Sequence, residues 1–143
     1  MIYYHGTNSD KEFNHLEFNE LGLIWITDDS KAAFKYASKY YNSGVQRIFK
    51  INFNGKVLDF TNKEDSIVNE IIQKIKSSYL FDIEKHWDTS AGFGIIESNL
   101  WIIDELKNKG YDGIYLLDKA VGLDHTSIAL FTDNYSIEEV EYL

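Results

Sequence analysis

The chain contains no cysteine and no proline. The first absence removes disulfide frameworks, thiolate metal sites and cysteine nucleophiles together, and fits a reducing compartment. The second leaves Gly, Asn and Asp as the residues that can mark turns. No run of about 18 consecutive apolar residues occurs, so no helical membrane span is expected. The opening MIYYHGTNSD lacks the basic-then-apolar order of a secretory signal. Basic side chains are scarce as well, 14 against 23 acidic ones, and the formal charge of −9 is spread along the whole length. A field of that sign repels phosphate backbones. Bulk nucleic acid is therefore disfavoured, a protein or small molecule is the expected partner, and the protein is expected to be cytoplasmic with no membrane partner.

Apolar material is plentiful by contrast. At 143 residues, 44% hydrophobic and 15% aromatic, the chain can bury one core without covalent or metal staples. No linker or repeat divides it, so residues 1–143 are expected to form a single domain. Ile2 to His5 reads as a strand, Asn8 to Leu21 as an irregular connection and Ile24 to Thr27 as a second short strand. Asp28 or Asp29 then caps a helix to about Tyr41, with Ala32, Ala33, Tyr36, Ala37 and Tyr40 at helical spacing. Arg47 to Phe53, the Asn54-Gly55 turn and Val57 to Phe60 read as a hairpin-like unit. Asp65 to Leu80 is an amphipathic helix, and Glu97 to Lys109 is another, stopped by Gly110. The region from Phe81 to Phe93 reads as irregular. Strands follow at Gly113 to Leu117, Ser127 to Thr132 and Glu138 to Leu143. The strands outnumber the helices and do not alternate with them, which predicts an α+β domain with a mainly antiparallel, split β-sheet and flanking helices.

The chemistry-bearing residues gather near the N-terminus. His5 at the end of a strand can donate to a ribose hydroxyl, and Gly6, lacking a Cβ, lets its backbone approach a ligand amide. The plainer alternative is a histidine that caps a strand beside a glycine that turns it. Trp25 and Tyr36, one on a strand and one in a helix, could sandwich a planar cation, a gain of about 0.5 to 2 kcal/mol; core packing is the alternative. His15, His86 and His125 lack ligand spacing, so no metal site is expected and exposed or capping histidines are the default. Gly92-Phe93-Gly94 is too short for a dinucleotide fingerprint and does not read as lying between a strand and a helix start.

The order Tyr3-Tyr4-His5-Gly6-Thr7, then LIWITDDSKAAFKYA over residues 23–37, resembles the ADP-ribosyltransferase superfamily of poly(ADP-ribose) polymerase type, with its His-Tyr-Glu triad. So does Gly110-Tyr111-Asp112-Gly113-Ile114 followed by Ser127-Ile128-Ala129-Leu130-Phe131, which is similar to the closing strands of small phage and bacterial members. The resemblance covers about half the chain. It implies an ADP-ribosyltransferase-like domain that uses NAD as co-substrate and binds it through His5, Gly6, Thr7, Trp25 and Tyr36. His5 stands at the triad histidine, Trp25 at the triad tyrosine and Tyr36 at the family's second tyrosine. Two positions depart from the pattern: Ser127 stands where the catalytic glutamate opens the final strand, and Ala33 where a serine helps hold the carboxamide.

An acid is wanted because positive charge grows on the ribose as its bond to nicotinamide breaks, and a carboxylate stabilises that charge. Small phage-encoded members, including ADP-ribosylating anti-CRISPR proteins, can place an aspartate just upstream of the last strand. Asp118 and Asp124 are therefore the candidates for catalytic acid alongside His5, with Asp59 as a third option. The function implied is mono-ADP-ribosylation of a protein target in a phage, toxin or anti-defence setting. Two alternatives stand beside it. One is a non-enzymatic acidic binding protein on the same fold; the other is a transferase or RNA 2′-phosphate-removing enzyme directed at nucleic acid, which the charge opposes.

Overall fold

The computed structural model describes residues 1–9, 16, 18–39, 44–76, 92–118 and 124–143. Among them the chain forms, in order, β1 (Ile2–Ser9), β2 (Ile24–Thr27), α1 (Ser30–Lys39), β3 (Val45–Asn52), β4 (Val57–Asp59), α2 (Ser66–Lys76), α3 (Gly92–Glu97), α4 (Trp101–Asn108), β5 (Gly113–Asp118), β6 (His125–Leu130) and β7 (Ser136–Tyr142). The seven strands make one open sheet in the order β4-β5-β6-β2-β1-β3-β7. The β4/β5 pair is parallel and the other neighbours are antiparallel. This is the mainly antiparallel α+β architecture that the strand-rich pattern predicts.

The helix boundaries follow from side chains that accept orphan N–H groups. Asp29 Oδ1 takes the N–H of Lys31 at 2.8 Å and of Ala32 at 3.3 Å. Asp65 Oδ1 does the same for Ile67 at 2.8 Å and Val68 at 3.3 Å. Gly110, at φ 81°, ends α4 in the left-handed region as its position predicts.

Two cores lie on opposite faces of the sheet. On one face, Val68, Ile71 and Ile75 of α2 and Ile96, Ile102 and Leu106 of α3 and α4 pack on Leu58, Ile114, Leu116 and Ala129. Each such fully buried aliphatic contributes about 1.5 to 3 kcal/mol, which holds these helices over the β4-β5-β6 half. The small helix α1 covers the β1-β3 half of the same face through Ala33, Ala37 and Ile48. On the other face, Ile24, Ile26, Phe49, Ile51, Ile128 and Leu130 form the second core, joined by Val57, Ile137 and Val140 from the outer strands.

The structure corrects four local expectations. The Arg47–Phe60 region is no hairpin: β3 pairs with β1 and β7, whereas β4 pairs with β5 at the far edge. Asn54 and Gly55 form neither a hydrogen-bonded turn nor a bend, and the backbone after them is captured elsewhere, with Lys56 N–H donating to Asp112 Oδ2 at 2.8 Å. The helix expected to begin at Glu97 is two helices, with Glu97 closing α3. Buried Asn99 makes the corner between them, donating to Ile95 O at 2.7 Å and accepting the Trp101 indole N–H at 3.3 Å. Finally, Gly92 to Gly94 does open a helix, and β1 runs on to Ser9 through residues read as a connection.

Candidate active site

The sheet parts between β1 and β2. β1 is paired with β3 from Ile2 to Ser9, and β2 with β6 along its whole length, yet β1 and β2 share one registered pair, Tyr4 with Thr27. Beyond that pair no registered pair joins the two strands. The resulting cleft is lined by Tyr4, His5, Gly6, Trp25, Ile26, Thr27, Tyr36 and Ser127 and encloses about 300 Å³, including space open to solvent.

His5 spans the parting, with Nδ1 2.6 Å from the Trp25 carbonyl oxygen. A carbonyl only accepts, so the proton sits on Nδ1. Burial pushes the His5 pKa below its ordinary value, the bond to Trp25 opposing, so the ring is held neutral. Its Nε2 is then an acceptor. The donor role expected for this imidazole toward a ribose hydroxyl is taken by Trp25, and a ligand hydroxyl would donate to His5 instead.

Gly6 has a packing reason of its own. A Cβ there would stand 1.9 Å from Ala33 O and 2.8 Å from Ala33 C. Glycine is what lets α1 lie on β1, and Tyr36, in the same helix, is thereby brought to the cleft. Ala33, the departure from the family serine, is fully buried in this contact. Thr7 lies farther along β1, paired with Arg47 of β3.

Trp25 is partly buried against the helix-side core. The Glu97 side chain, at the end of α3, lies near enough to its indole to feel it. Burial pushes the Glu97 pKa above the ordinary glutamate value, the neighbouring Trp25 indole opposing and the charge of Asp118 adding to the rise.

Asp118 closes β5 and is buried. Its Oδ2 accepts Tyr36 OH at 3.1 Å and Ser127 Oγ–H at 3.1 Å, and His125 Nε2 lies 3.5 Å from the same oxygen. The register accounts for the gathering. Asp118 is directly opposite His125 and Leu116 opposite Ser127, so all four side chains share the helix-covered face and Asp118 reaches Ser127 diagonally. His125 also meets the Tyr36 ring edge-on, with centroids 5.9 Å apart at 80°. Where the resemblance called for a glutamate on the final strand, a serine hydroxyl receives an aspartate from the neighbouring strand.

The other acidic candidates stand differently. Asp124 is exposed just before β6. Asp59 is exposed on the edge strand β4, where its Oδ1 accepts Thr61 N–H at 2.9 Å and Thr61 Oγ1–H at 2.6 Å, as a turn former does. His125 overturns the expectation of an exposed or capping histidine; it is buried because it follows the inward alternation of β6. His15 and His86 lie outside the described residues. Among the described residues no group of three or more His, Cys, Asp or Glu is arranged to hold a metal ion. His125 is the site residue that sequence reasoning missed. It has no local signal, because it acquires its role only by pairing with Asp118.

Comparison with family models, with characterised proteins and with solved structures returns no match. The chemical capacity is therefore read from the site. A buried carboxylate with two hydroxyl donors, a neutral imidazole offering an acceptor, and aromatic walls suit a ligand with a cationic planar ring joined to a polyol.

Proposed function

We propose that the chain is an NAD-dependent mono-ADP-ribosyltransferase that modifies a protein side chain, with Asp118 as its acidic group. The observation that carries this reading is the Asp118 carboxylate, held by Tyr36 and Ser127 beside the cleft at the parting of β1 and β2. The residues present fit the co-substrate: Trp25 and Tyr36 offer aromatic faces to its ring, neutral His5 accepts from a ribose hydroxyl, and Gly6 leaves backbone at the cleft. NAD supplies the activated glycosidic bond, whose departing group is nicotinamide.

Asp118 stabilises the positive charge that develops at the ribose carbon, and its fixed oxygen needs no reorganisation at that moment. Tyr36 and Ser127 keep the carboxylate aimed, while Trp25 and Tyr36 shield the site from water. A phage, toxin or anti-defence setting rests on the family resemblance. The alternative of an acidic binder without catalysis drew on the charge and on Ser127; with Asp118 donated-to by Ser127, the charge is what remains to it. A transferase or phosphatase acting on nucleic acid is opposed by the same charge.

The test is incubation with NAD labelled on its adenylate half and a cell lysate. Label should move to one or a few protein bands, and Asp118→Asn should abolish it. A parent protein that labels nothing in any lysate and does not bind NAD would overturn the reading.

A further inference from the structure

We infer that His125 is a positioning residue of the proposed reaction, an enclosed imidazole that fixes Asp118 and Tyr36 relative to each other. The inference deepens the NAD reading above and rests on it. Along the helix-covered face of β5 and β6, Ile114 pairs with Ala129 and Leu116 with Ser127, and the rung that ends the row is Asp118 opposite His125. Ile114, Leu116 and Ala129 belong to the apolar core, whereas the last rung is polar on both strands. The His125 side chain has no exposed surface, and enclosing it costs desolvation that an apolar side chain of similar size would avoid. Its neighbours supply the reason. Nε2 lies 3.5 Å from Asp118 Oδ2, and the ring meets the Tyr36 ring edge-on with centroids 5.9 Å apart. Tyr36 OH in turn donates to that same Oδ2 at 3.1 Å, so the three side chains close a triangle.

A bare ring nitrogen would set its lone pair against the carboxylate, so the hydrogen belongs on Nε2, where it attracts Oδ2. At 3.5 Å that attraction is electrostatic and weaker than a short hydrogen bond, and it adds to the donations from Tyr36 and Ser127. Tyr36 lines the cleft, so the spacing of carboxylate and aromatic ring sets where the ribose carbon stands against its stabilising charge. That charge grows as the bond to nicotinamide breaks and the bonding pair leaves with the ring nitrogen. A displacement of about 1 Å between such groups costs about 10²-fold in rate. His125 acts here through Asp118 and Tyr36 and touches no reacting atom.

Two substitutions separate this role from packing: His125→Gln keeps an N–H at comparable reach, and His125→Leu fills comparable space without one. For each, NAD affinity is measured by calorimetry and transfer to lysate protein by single-turnover labelling. His125→Leu should lose about 10- to 100-fold in transfer rate with NAD affinity within about 3-fold of the parent, while His125→Gln should stay within about 5-fold in both. A side chain that only fills space would give the opposite order, Leu near the parent and Gln worse, and that order overturns the inference. A second readout needs no activity. In nitrogen-15 NMR of the parent, His125 should carry hydrogen on Nε2, and Asp118→Asn should shift that resonance. Hydrogen on Nδ1 alone, or a resonance indifferent to Asp118→Asn, overturns the inference whether or not His125→Leu folds. If NAD binds and His125→Leu transfers as the parent does, the inference is wrong and the NAD reading stands. If the parent neither binds NAD nor labels any protein, both fall.

Discussion

At Asp118 two hydroxyls and an imidazole crowd one carboxylate oxygen. Such crowding costs desolvation and orders three side chains, which suits a group whose worth lies in the transition state. Asp118→Asn should therefore cut transfer by about 10²-fold or more with NAD affinity nearly intact, because the lost interaction is strongest when charge develops. Asp124→Asn and Asp59→Asn, measured in parallel, should transfer as the parent does; a larger loss at either would move the acidic role there. His5 makes a prediction in pH. Its folded pKa lies below that of the unfolded chain, about 6.5, so between the two values the unfolded state binds more protons and stability rises with pH. Stability from this group is present above about pH 6.5 and is lost as pH falls through the folded value. Urea melts from pH 5 to 7 should show a shallower slope for His5→Gln than for the parent, and identical slopes would refute the neutral imidazole.

At the level of elements, the contact between α1 and β1 builds one wall of the cleft. A Cβ at Gly6 meets a backbone oxygen rather than a flexible side chain, so the helix itself would have to move. Gly6→Ala should cost about 1 to 3 kcal/mol or more in chemical denaturation, and displace Tyr36 enough to weaken NAD binding. A melt and an affinity both equal to the parent's would show that α1 does not sit this close. The sparse pairing between β1 and β2 is the second element-scale feature. β1 pairs with β3 and β2 with β6 along their outer edges, while their facing edges share only Tyr4 with Thr27.

For the molecule as a whole, a charge of −9 repels phosphate backbones. Random duplex DNA or RNA should not bind appreciably at physiological salt, since few cations are available to displace counterions from phosphate. A mobility assay showing tight, salt-sensitive binding would remove a protein from first place among acceptors. No helix among the described residues is long and apolar enough to cross a membrane.

Much of the frame was legible along the chain, because it depends on short-range physics. Period-two and helical spacing marked β2, α1, α2 and the strands from β5 to β7, and Asp and Gly at their ends marked where helices start and stop. His5, Trp25 and Tyr36 were legible as residue types suited to a planar cation. The pairing of strands was not. Asn54-Gly55 reads as a turn, yet the chain passes through it without one and crosses to the other edge, and only competition among all strands chose β5 as the partner of β4. The same holds for the site. Ser127 reads in sequence as a missing acid, and His125 as a surface residue, until β5 and β6 come into register and bring Asp118 to both. The tautomer of His5, the close approach that demands glycine at position 6, and the nearness of Glu97 to Trp25 were likewise decided by contacts between distant segments, which no local pattern encodes.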